Sequence, residues 1–201
     1  YLSIAAWIIL FLVCYFVKIE SQESLKQWGI YACFMSYAIL FVLCMSHPYW
    51  LLIMMPFMAI MMAQNSKYLY VNMIVEMLLT WGMIFAQIFK FPWCFGSSLT
   101  AGTFWPGILG EKEEFVEYTM MNVLKRLDLE AMQGYLIGAG CTVFFCCIFL
   151  FAVLNFPGWK REFPLLKKDD GPAVWLIGVR IISGFGLALL PILLYGIGMI
   201  L

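Results

Sequence analysis

The single histidine of the chain stands in "SHPYWLLIMMPFMAIMMAQNSKY", residues 46–68. His47 is followed by Pro48, by the aromatics Tyr49 and Trp50, and by an apolar run that Pro56 interrupts. Proline at a first helical position starts a helix well, because its missing N–H would have had no partner there. His47 then falls at the cap, beside unpaired backbone N–H groups that attract anions. An imidazole so placed, with two rings next to it, can hold a phosphate and stack a sugar. The same residues also read as an interfacial His-Pro turn carrying ordinary membrane-belt aromatics.

A second set lies inside an apolar run. Glu76 has Asn72 four residues before it and Thr80 four after, a spacing that puts all three on one helix face. A carboxylate in lipid is costly unless paired or protonated, so Glu76 is a candidate functional residue. Arg180 is its candidate partner; alternatively the guanidinium snorkels to the interface. The set therefore reads as helix-joining glue, as an ion or proton relay, or as a substrate contact. Gln87 and Gln133 read as glue between helices.

The elements that must carry these residues follow from composition. The 201 residues are 64% hydrophobic and 12% charged, with a mean hydropathy of +0.92. Soluble domains are about a quarter charged, and a soluble fold of this size could not hide so much apolar surface. The expected fold is all-α, a polytopic transmembrane helix bundle. Six runs approach the roughly 20 apolar residues that a bilayer core of about 30 Å requires. They are 1–17, 29–46, 50–63, 68–89, 133–156 and 173–201, the third short enough to re-enter rather than cross. Both ends of the chain fall inside apolar runs, so it reads as one transmembrane domain of a longer protein.

Residues 90–130 form the long extramembrane connection. Its second half, "EKEEFVEYTMMNVLKRLDLE", has acids first and bases last and reads as an amphipathic interfacial helix. Glycines 134 and 138 form a GxxxG, and Gly140, Gly178, Gly184 and Gly186 add small residues for close helix packing. Pro191 is expected to kink the last run.

Lysine and arginine counts set the expected orientation. If all six runs cross, loops one, three and five share a side and carry seven cations, against four on the other side. The first set is then cytoplasmic and His47 faces outward. Lys160, Arg161, Lys167 and Lys168 lie in the fifth of these loops, which reads as a solvated cytoplasmic segment or as a contact for anionic lipid.

The balance of 12 acids against 12 bases leaves no field for nucleic acid. Seven cysteines without a CxxC, and one histidine, supply no zinc set, so neither metal nor cofactor is expected. Cys94 is the one thiol placed in a wet loop.

An H-P-Y-W at the head of a short, proline-containing apolar helix resembles a late segment of GT-C membrane glycosyltransferases. The likeness is greatest to bacterial relatives of the GPI mannosyltransferases and extends loosely through "YLYVNMIVEMLLTWGMIFAQIFKFPW". The resemblance implies sugar transfer from a polyprenyl-phosphate donor outside the cytoplasm. Donor phosphate and sugar binding then falls on His47, Tyr49 and Trp50. The acidic catalytic motif of that family has no counterpart in residues 1–46 and is expected upstream of Tyr1. Two other functions compete: a transporter or flippase built on Glu76 and Arg180, and a non-catalytic subunit of a larger membrane complex.

The orientation is testable. In a cysteine-free background, Lys67→Cys and Lys112→Cys should be alkylated by an impermeant maleimide from opposite faces of sealed vesicles; labelling of both from one face contradicts the assignment.

Overall fold

The computed structural model describes residues 1–44, 51–90, 124–125, 128–159 and 174–186. Among these the regular structure is helical, with no strand. In chain order the helices are α1 (Leu2–Phe16), α2 (Gln22–Leu43), α3 (Leu51–Gln64), α4 (Leu69–Lys90), α5 (Gln133–Leu154) and α6 (Val174–Gly186). Short 3-10 turns at Ser66–Tyr68 and Glu130–Met132 lead into α4 and α5. With those turns included, α4 and α5 join α2 as helices long and apolar enough to cross a membrane. α1, α3 and the described part of α6 are shorter. Large apolar side chains lie bare on the helix surfaces: Phe11, Tyr135, Phe149 and Ile182 are each at least 70% exposed. Water does not tolerate such a surface, and lipid does.

The helix ends have local causes. α2 begins seven residues before the apolar run expected at Gly29, because Ser21 caps it: its hydroxyl oxygen accepts from the Ser24 N–H at 3.1 Å, and Glu23 sits in the first turn. Most of the loop expected over 18–28 is therefore the first turns of a helix. α3 keeps Pro56 in its interior and is 14 residues long, about 21 Å. α5 ends at Leu154, where Asn155 and Pro157 follow. The Asn155 carboxamide adds a second bond to the Phe151 carbonyl at 2.8 Å, which already accepts the Asn155 N–H at 3.1 Å; the orphan Leu154 carbonyl accepts from Asn65 Nδ2 at 3.3 Å.

The chain divides into two compact units, 1–79 with 145–173 and 80–144 with 174–201; α4 and α5 each give one half to each unit. In the first unit, α2 buries Tyr31, Phe34, Ala38 and Phe41, and α3 buries Leu51, Met54, Met58 and Met61. Each set advances by three or four residues, the spacing of one helix face. Aromatic contacts tie these helices to the C-terminal half of α5 and to the residues beyond it. Phe34 meets Phe151 at 5.2 Å, and Trp28 and Tyr31 meet Phe156 edge-on at 5.4 and 5.5 Å. Tyr37 stacks on Phe57 at 5.6 Å. α1 buries no residue. It runs along α2 and leaves an apolar groove of about 450 Å³ lined by Ile4, Trp7, Phe11 and Leu40.

In the second unit α4 and α5 cross backbone to backbone. A Cβ on Gly82 would stand 2.9 Å from the Gly140 carbonyl oxygen, and one on Gly140 would stand 2.8 Å from the Gly82 carbonyl oxygen and the Ala86 nitrogen. The GxxxG glycines expected to make such a contact do not. Among the described residues a Cβ on Gly134 or Gly138 would meet nothing within 4 Å, nor would one on Gly178, Gly184 or Gly186. The GxxxG spacing marks the right helix and the wrong face. Gln133 does act as glue, its Nε2 donating to the Phe89 carbonyl at 2.9 Å. Among the described residues Gln87 bonds along its own helix, to Met83 Sδ at 3.7 Å.

Gly140→Val should lower the midpoint of thermal unfolding in detergent, losing about 1–3 kcal/mol to overpacking. Gly138→Ala, on an open face, should leave the midpoint unchanged; equal effects of the two contradict the crossing.

Candidate functional site

In the first unit the end of α3, the start of α4 and the end of α5 come together, and carboxamides hold them. Asn65 is the residue between α3 and the turn into α4. Asn72 lies one turn inside α4, and Asn155 caps α5. All three are buried, at 3%, 0% and 6% exposure. Asn65 Nδ2 donates to Asn155 Oδ1 at 2.9 Å and to the Leu154 carbonyl at 3.3 Å. Asn72 Nδ2 donates to the same Asn155 Oδ1 at 3.1 Å, and Asn155 Nδ2 returns a bond to Asn72 Oδ1 at 2.9 Å. The remaining Nδ2 hydrogen of Asn155 goes to the Phe151 carbonyl. Asn155 thus spends both donors and both lone pairs, its full capacity. No other rotation of its amide group meets all four partners.

The clamp has a consequence for topology. Asn65 stands in the third connection and Asn155 at the start of the fifth, while Trp28, two turns inside α2, packs on Phe156. Connections three and five therefore meet at one end of this unit. α3 runs away from that end, so its head at Leu51 lies about 20 Å from Gln64.

Glu76 follows Asn72 by one turn and is 2% exposed, and Thr80 is half-buried. The common face expected for Asn72 and Glu76 is a buried face. Arg180 sits on α6 in the second unit, with its side chain exposed and its carbonyl accepting from Ser183 Oγ at 3.1 Å. His47, Tyr49 and Trp50 lie outside the described residues, as do Cys94, Pro191, the loop cations 160–168 and most of the expected amphipathic helix. Of that helix, Leu124 and Lys125 are described as helical, with Leu124 buried.

Chemically, the clamp is a joint and not a reaction centre. Carboxamides neither titrate near neutral pH nor act as nucleophiles; the buried ionisable group beside them is Glu76, one turn along α4 from Asn72. Charge inside an apolar run does not reveal Asn65 or Asn155. Their signal in the sequence is of another kind: each stands at the end of an apolar run, Asn65 directly after Gln64 and Asn155 with a proline two residues on.

No protein-family model, curated protein or solved structure matches this chain.

Asn155→Leu should destabilise the protein more than Asn72→Leu. It removes bonds from two partners and strands the Asn65 and Asn72 amides, at about 1–3 kcal/mol for each buried group left unpaired. A double-mutant cycle on Asn72 and Asn155, read by unfolding in detergent, should give a coupling of about 0.6–1.7 kcal/mol; additivity contradicts the pairing.

Proposed function

We propose that this chain is the membrane-embedded module of an integral multi-pass membrane glycosyltransferase that takes a sugar from a polyprenyl-phosphate donor on the extracytoplasmic side. One observation carries the reading. The H-P-Y-W sequence leads straight into α3, a short apolar helix with a proline inside it, the arrangement on which the resemblance to GT-C enzymes rests. The meeting of connections three and five at the opposite end of α3 supports an outward-facing His47.

In the proposed reaction an acceptor hydroxyl oxygen attacks the anomeric carbon of the donor. The bond from that carbon to the phosphate oxygen breaks, and the phosphate leaves with the electron pair. The hydroxyl proton passes to a carboxylate supplied by sequence outside residues 1–201. His47, as imidazolium, stabilises the leaving phosphate, whose charge grows towards the transition state. Tyr49 and Trp50 offer ring faces to the sugar.

The buried Glu76 beside Asn72 favours a second reading, a transporter or flippase in which that carboxyl couples an ion or proton to movement. The two separate in one experiment. Full-length protein in proteoliposomes is supplied with a labelled polyprenyl-phosphate sugar and an acceptor. His47→Ala should reduce transfer by about 100-fold or more, the loss typical of one transition-state donor, while Glu76→Gln leaves it within a few-fold. Loss of lipid or solute movement in Glu76→Gln, with no transfer in the unaltered protein, selects the transporter. Absence of both activities in the unaltered protein points to a non-catalytic subunit.

A further inference from the structure

We propose that the small cavity beside the carboxamide clamp is a binding site for one water molecule, which donates a hydrogen bond to Asn65 Oδ1. The site stands apart from sugar transfer and does not depend on it. Asn65 Nδ2 is fully used, on Asn155 and on Leu154. Its Oδ1 is buried, and among the described residues no group donates to it. A buried acceptor of this kind needs a donor, and native proteins supply one from protein or from ordered water.

The space for it is adjacent. Gln27, Met61, Gln64, Asn65, Asn155 and Pro157 line a cavity of about 20 Å³. A cavity needs roughly 10–15 Å³ to take a water, so this one has room for one. The lining also supplies the further partners that a bound water requires. The half-buried Gln27 and Gln64 are among the lining residues, and each carboxamide can accept or donate.

Charge decides between a water and a monovalent cation. Among the described residues no carboxylate lines the cavity, and a bare cation held by neutral amides would lose its hydration without a counter-charge. A neutral donor fits such a site. Bound there, the water extends the hydrogen-bonded column from Asn72 through Asn155 and Asn65 to the glutamines at the rim of the unit.

The test uses the full chain in lipid nanodiscs with nitrogen-15 in its asparagines. There are four, Asn65, Asn72, Asn122 and Asn155, so their side-chain amide signals are assignable by single substitution. A magnetisation-transfer peak from long-lived water to the Asn65 amide protons is expected. Gln64→Leu should abolish it while the Asn72 and Asn155 signals stay in place. The proposal is overturned by an Asn65 signal without a water peak in the unaltered protein, or by a peak that survives Gln64→Leu. Movement of the Asn65 signal when choline chloride is replaced by sodium chloride at equal strength also overturns it, by assigning the site to a cation.

Discussion

A carboxamide buried among apolar side chains has to find its partners in the protein or in a trapped water, and Asn155 makes all four of its bonds within the protein. In water such a group would cost little to leave open. Away from bulk water each group left unsatisfied is costly. Asn155 therefore does more than end α5: it specifies which chain segments lie beside that end. The Asn65 turn and the first part of α4 are held there by bonds of 2.9–3.1 Å. The aromatic cluster of Trp28, Tyr31 and Phe156 closes over the same end from α2. Directional bonds set the register, and ring packing, which tolerates sliding, fills in around them.

The second unit joins its helices by other means. Lipid tails are as apolar as leucine, so the hydrophobic effect gives two helices little reason to prefer each other over solvent. What remains is close dispersion contact and a few hydrogen bonds. Gly82 and Gly140 provide the first by letting the two backbones touch, and Gln133 provides the second by crossing to the Phe89 carbonyl. The Cβ atoms these positions lack are the atoms that would part the helices.

Much of this was legible in the residues. An all-helical chain followed from apolar content and from run lengths, and α4 and α5 begin and end within two residues of the expected limits. α2 did not, because a hydropathy run measures how long a segment is apolar and not how long it is helical; Ser21 and Glu23 carried the missing signal. The pairing of small residues was half legible. A GxxxG names a helix able to pack closely, but which glycine meets a neighbour depends on how the helices are rotated, and a single chain does not encode that locally. The polar face of Asn72 and Glu76 followed from a four-residue spacing, whereas Asn65 and Asn155 stand 90 residues apart and only the fold brings them together.

The functional reading draws on the same geometry. With connections three and five at one end, the head of α3 belongs to the other, the end to which the proposal assigns the phosphate. The most direct test of that arrangement is a distance. In a cysteine-free background in lipid vesicles, Gln64→Cys paired with Pro157→Cys should be bridged within one chain by a short bis-thiol reagent, since both side chains line one small cavity. Gln64→Cys paired with Leu52→Cys, near the far end of α3, should not be bridged. Failure of the first pair, or equal bridging of both, would contradict the account.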